Sequence, residues 1–146
     1  MFEEIISKLK EILDNNNLIQ HVQDFEDIVA DSDPFVTIVP SGNTSAYETT
    51  EENVRVYAFK VMVFVSRTDR SKGDADRVLR GLVDSIIDDY DKDYTLETIG
   101  VPSKTGYTFL QVFAAPSAWG YALPEDEYRI ATIDLTALVS VDLNNI

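Results

Sequence analysis

The stretch Val54-Arg55-Val56-Tyr57-Ala58-Phe59-Lys60-Val61-Met62-Val63-Phe64-Val65-Ser66 decides the fold. Successive side chains of a strand point to opposite faces. One face then carries Val54, Val56, Ala58, Lys60, Met62 and Phe64, the other Arg55, Tyr57, Phe59, Val61, Val63 and Val65. Both sets are mainly apolar. That predicts a central strand covered on both sides, or on one side in the monomer and on the other in an assembly. Its core, Val61 to Val65, is the longest strictly apolar run in the chain. A membrane-crossing helix needs roughly 20 such residues.

Two helical patterns flank this strand. Upstream, Phe2, Ile5, Ile6, Leu9, Ile12 and Leu13 recur at three- and four-residue steps, one apolar stripe. Asn15-Asn16-Asn17 is expected to end that helix, because Asn tolerates the left-handed conformation of a C-cap. Downstream, Ala75, Val78, Leu79, Leu82, Val83, Ile86, Ile87 and Tyr90 repeat with the same period. Asp74 is its expected N-cap, with Asp76 and Arg80 a favourable i, i+4 pair.

The remaining segments read as strands and connections. Leu18-Ile19-Gln20 is suited to opening a short strand, and Asp31-Ser32-Asp33-Pro34 is turn chemistry. Phe35 to Val39 reads as a strand stopped by Pro40. Residues 40–53 read as a long polar connection, in which only Ala46 and Tyr47 suit a core. Tyr107 to Ala114 is another strand, followed by a Pro-, Gly- and aromatic-rich loop from Pro116 to Glu127. A last strand runs from about Tyr128 to Leu143, with a bend or bulge expected near Thr136-Ala137. The order is α-β-β-α-β-β. It implies an α+β fold, residues 1–146 as one domain, with a single antiparallel or mixed β-sheet and both amphipathic helices packed on one face.

Composition narrows function by exclusion. The chain of 146 residues carries 26 acidic and 12 basic side chains, a formal net charge of −14. Such a charge opposes attraction to nucleic acid or anionic lipid. Cysteine is absent, so disulfides and thiolate–zinc sites are excluded. The start, Met1-Phe2-Glu3-Glu4, is acidic where a secretory signal is basic, pointing to a soluble protein made inside the cell. The acid concentrates in the two helical segments.

Catalytic signatures are missing. The single histidine, His21, has no nucleophile pattern near it, and the six glycines form neither GxGxxG nor a P-loop. No cofactor is implied. One metal candidate exists: Asp89, Asp91 and Asp93 match the opening of a calcium loop. Position six of that loop would be Tyr94 where Gly is needed, and position twelve Gly100 where Glu is needed. A small metal-binding or hydrolytic domain built on these three aspartates is therefore the enzymatic alternative. Asp84, Asp88, Asp89 and Asp91 also crowd the end of the second helix, where the helix dipole favours cations. They form either an electronegative functional face or a tolerated, solvated helix end.

Two loops stand out as interaction elements. The 116–127 loop carries Trp119, Tyr121 and Leu123, which either plug the edge of the domain's own core or anchor a partner. The 40–53 connection, with Tyr47, Glu48, Glu51 and Glu52, is of the kind a neighbouring subunit orders. The basic cluster Arg67, Arg70 and Lys72 is too small for nucleic acid and suits pairing with acid on this chain or on a neighbour.

One arrangement has a familiar form. An amphipathic N-terminal helix precedes Pro34-Phe35-Val36-Thr37-Ile38-Val39-Pro40-Ser41-Gly42-Asn43; a polar stretch, then Arg55 to Phe64, then the Ala75–Tyr90 helix follow. This resembles the tail terminator (tail completion) proteins of long-tailed bacteriophages and prophages. The resemblance spans nearly the whole chain as architecture, residues 34–90 most closely. It rests on strand and helix patterns, a design that other head–tail connector (neck) proteins share. It implies a non-enzymatic ring, typically a hexamer, that caps the tail tube and joins it to the head. The implied partners are copies of itself, the tail tube protein and a head–tail connector protein. The implied location is the virion tail or neck, assembled in the host cytoplasm, with no membrane involved. DNA would pass through without specific binding, and an acidic lumen would keep the duplex from sticking.

Overall fold

A computed structural model describes residues 1–25, 33–47, 52–68, 70–122 and 127–145. The elements run α1 (Phe2–Asp14), β1 (His21–Gln23), β2 (Phe35–Tyr47), β3 (Glu52–Ser66), α2 (Lys72–Lys92), β4 (Tyr107–Ala122) and β5 (Tyr128–Asp142). The five strands form one sheet in the order β1-β2-β3-β5-β4. β1 lies parallel to β2 and every other pairing is antiparallel, so the sheet is mixed.

The centre of the sheet is the pair β3–β5. It pairs without interruption from Glu52↔Asp142 to Ser66↔Tyr128. Of the bend or bulge expected near Thr136-Ala137, the bulge is therefore absent. The bulges fall instead between Pro40 and Gly42 on β2, and between Phe109 and Gln111 and between Pro116 and Ala118 on β4. All three lie away from the β3–β5 seam, where an extra residue disturbs fewest ladder bonds.

Pleat alternation then sorts the side chains. Tyr57, Phe59, Val61, Val63 and Val65 of β3 share one face with Ala131, Ile133, Leu135, Ala137, Val139 and Val141 of β5, and all are buried. Both helices cover this face. Ile5, Ile6, Leu9, Ile12 and Leu13 of α1 join Ala75, Leu79, Leu82, Val83, Ile86 and Tyr90 of α2 in one core with the strands. Tyr90 is fully buried, and its hydroxyl donates to the Leu9 carbonyl at 2.9 Å, tying the helices together. Burial and the nearby Asp89 push its phenol well above the usual range, so it stays a neutral donor.

Several boundaries differ from the sequence reading. Pro40 does not stop the strand: β2 continues to Tyr47, and β3 begins at Glu52. Most of the 40–53 connection is thus a two-stranded extension. Thr44 and Ser45 are small, strand-compatible side chains that pair with Val56 and Arg55 of β3, so their polarity marks exposure and not a loop. Likewise β4 runs through Pro116 and Trp119 to Ala122, because Pro is tolerated on an edge strand. The short first strand is His21–Gln23, just after the expected Leu18-Ile19-Gln20. Ser71, not Asp74, caps α2, accepting the Asp74 amide on its hydroxyl at 3.1 Å. Asn15 ends α1 in right-handed geometry at φ −83°.

Two substitutions weigh the helix–helix tie. Tyr90→Phe removes one hydrogen bond while keeping the packing, and is expected to cost about 1 kcal/mol. Tyr90→Ala adds a cavity and is expected to cost about 3–5 kcal/mol. Urea denaturation of the two variants against wild type measures the difference.

Candidate interaction surfaces

The face of the sheet opposite the helices is the first surface. At one end it carries its own small cluster, Phe35 stacked on Phe64 at 4.4 Å with Tyr128 edge-on, backed by Met62 and Ile130. Beyond that cluster no described element covers it. Val54, Val56, Ala58 and Leu138 are half-buried, Phe113 of β4 is 51% exposed, and Lys60 and Asp134 sit opposite each other as a neutral pair. Of the two arrangements open for the central strand, the described residues of the chain cover one side, and on the other only the aromatic cluster does so. The other face is mostly uncharged and partly apolar, a composition that suits contact with another protein surface.

Trp119 stands at a second surface. It is paired with Ala131 on the helix-covered face, beyond the first turns of α2, and is 48% exposed. It therefore neither plugs the core nor lies on a loop. With Asp76, Arg80 and Arg129 it lines a surface hollow of about 240 Å³. Arg129 holds the wall together, bonding the Asp76 carboxylate through Nε and the Gly120 carbonyl through Nη1 at 2.6 Å. Asp76 therefore pairs with Arg129 and not with Arg80, because β5 brings a guanidinium within reach that helix spacing does not reveal. Among the described residues Arg80 donates only to the Asp76 backbone carbonyl, at 3.2 Å, and is exposed.

The other sequence candidates separate. Arg70 bonds Asp33 at 2.6 Å and the Ser66 carbonyl at 2.9 Å, so it closes its own chain. The Arg67 amide bonds the Glu127 carbonyl at 2.7 Å. Glu52 is exposed at the sheet end, opposite Asp142. Tyr47 and Tyr121 lie within strands, without a described side-chain position. Glu48, Glu51 and Leu123 fall outside the described residues.

The acidic end of α2 resolves into two kinds of aspartate. Asp89 accepts from Asn16 Nδ2 at 2.8 Å, and the same amide nitrogen reaches Ser85 Oγ at 3.0 Å. Asp93 accepts the Thr98 amide at 3.1 Å and shapes the turn after the helix. These two calcium-loop candidates thus serve the fold, and no group of three metal-ligating side chains occurs among the described residues. Asp84, Asp88 and Asp91 are exposed along one stripe of α2. Asn16 is the residue the sequence reading missed as a tie. An Asn-rich helix end was its signal, but only as a cap.

Comparison with known proteins gives the fold a counterpart. No family model and no curated protein matches the sequence. Among solved structures, the chain is similar to a chain of a structure described as "Virion of native gene transfer agent (GTA) particle". The TM-score is 0.55 at 12% identity, over 95% of this chain and 90% of that one. At that identity the likeness is one of fold. No helix among the described residues is long and apolar enough to cross a membrane.

Two measurements follow from these contacts. The Arg129 guanidinium beside Asp76 holds that carboxyl below the ordinary value of 3.8. A depressed folded-state value adds stability that is present above the unfolded value and is lost as pH falls through the folded one. A melting-temperature series through the acid range should therefore fall less steeply in Asp76→Asn than in wild type, and identical slopes would refute the linkage. Asp89→Ala should cost about 2 kcal/mol by losing a charge-assisted bond to Asn16. Titrating calcium during the same denaturation should leave both proteins unchanged, whereas a calcium-dependent gain confined to wild type would restore the metal reading.

Proposed function

We propose that this chain is a non-enzymatic structural protein of a phage-type virion, assembling into a ring at the tail or neck. The observation that carries the reading is the one-sided fold: both helices on one face of the sheet, with most of the other face uncovered by any described residue. A monomer gains nothing by leaving Phe113, Val54, Val56 and Leu138 in partial contact with water, whereas an assembly buries them. The shared fold with a chain from a gene transfer agent virion supports the same class.

The finer proposal is a tail terminator, a hexameric ring that caps the tail tube and meets a head–tail connector protein. The tail-terminator resemblance of residues 34–90 supports it. Net charge supports the accompanying role toward DNA: a ring of copies each carrying −14 repels a passing duplex and does not retain it. No cofactor enters this function.

The test is the mass of the wild-type protein in solution by light scattering, followed by electron microscopy after mixing with purified tail tubes. A discrete ring, sixfold in projection and seated at tube ends, is expected. A strict monomer at high concentration that leaves tubes bare overturns the proposal. Rings that bind connectors but not tubes would move the protein to the neck.

A further inference from the structure

The exposed stripe of α2 is divided by charge. Arg77 and Arg80 occupy its first half and Asp84, Asp88 and Asp91 its second, at three- and four-residue steps along one face. This order runs against the helix dipole and places Asp84 and Asp88 one turn apart with like charge. Arg77 is paired locally with Asp74 at 2.8 Å. Among the described residues, Arg80 hydrogen-bonds only a backbone carbonyl, beside an exposed tryptophan in a hollow whose described carboxylate, Asp76, is bonded by Arg129 and lies in the field of Arg80. The described side chains lining the hollow thus carry net positive charge in a chain of net −14. Trp and Arg are the side chains most enriched at energetic centres of interfaces.

We propose that this Trp119–Arg80 hollow receives the acidic half of α2 from a second copy of the chain, Asp84, Asp88 and Asp91 facing Arg80. The proposal rests on the ring reading above and names one of its contacts. Charge decides the occupant: each copy holds both the cationic hollow and an exposed carboxylate stripe with the complementary sign. Charge also decides the direction. In a twofold antiparallel pairing that sets Arg80 on the partner's Asp88, the two Asp84 carboxylates meet at the axis and repel. A one-way contact, hollow of one copy to acidic stripe of the next, avoids this clash. Repeated head to tail, such a contact is the kind from which a closed ring is built when its rotation closes.

The absence of cysteine allows a direct test. Gly81 is exposed next to Arg80, and a side chain there meets no other atom; Lys92 is exposed one turn past Asp88. Gly81→Cys and Lys92→Cys keep every proposed charge on the hollow and the stripe. Under oxidation, an equal mixture of the two single-cysteine chains is expected to give a mixed covalent dimer. The chain bearing both should give a ladder ending at the ring. A chain bearing Ser103→Cys, mixed with either, serves as background. Mixed dimers no more abundant than that background overturn the proposal, as does a double-cysteine chain that stops at the dimer.

Charge exchange gives the second readout. Arg80→Glu should lose the assembled species while its melting temperature stays near wild type. Arg80→Glu together with Asp88→Arg should recover it. Assembly of Arg80→Glu at wild-type level, or no recovery in the double variant, rejects the contact. If wild type itself assembles and these variants behave like it, only this contact fails and the ring stands. If wild type is monomeric, the ring reading fails with it.

Discussion

The uninterrupted pairing of β3 with β5 is the constraint on which the rest of the structure depends. Because it carries no bulge from Glu52 to Ser66, every odd residue of β3 and every odd residue of β5 falls on one side. A single slipped residue would exchange the faces and place Phe59, Val61 and Leu135 in water. The helices follow from this. Their apolar stripes have only one continuous apolar face to cover, and together they cover it. Irregularity is pushed outward, to β2 and β4, where three bulges shift the register and two prolines are accommodated without ending either strand.

That arrangement concentrates interaction chemistry at the periphery. β4 continues past the core with no Asp, Glu, Lys, Arg or His and delivers Trp119 beside the start of α2. β5 sends Arg129 across to Asp76, building the wall of the hollow. Meanwhile the end of α2 is anchored by Asn16 through Asp89 and Ser85, leaving Asp84, Asp88 and Asp91 facing outward. The acidic helix end is therefore two things at once: a structural tie on its inner side and an exposed electronegative stripe on its outer side.

Residue patterns in the sequence located the elements by period and missed some boundaries by polarity. Leu79, Leu82 and Ile86 announce α2 because a buried helix face must repeat with the helical turn. The β2 and β4 extensions have a loop-like composition, rich in Ser, Thr, Asn, Gly and Pro, which hides their strand character. They are held as strands by pairing with the strand that follows each, Asn53 to Phe59 for β2 and Tyr128 to Ile133 for β4. The same blindness applied to charge. Asp76 has Arg80 at the right helical spacing, yet a guanidinium from β5 takes it, because tertiary approach offers a better-buried partner than an exposed side chain on the same helix.

What the sequence by itself determined is the class: an acidic, cysteine-free α+β chain, two amphipathic helices and a central strand apolar on both faces. Those properties follow from local period and composition, which need no knowledge of neighbours. Only the tertiary structure decided that both helices lie on one face, that no described element covers most of the other, and that Trp119 joins Arg80, Arg129 and Asp76. These depend on register and on which sheet edge each strand occupies. Such relations bring together residues that no spacing along the chain connects.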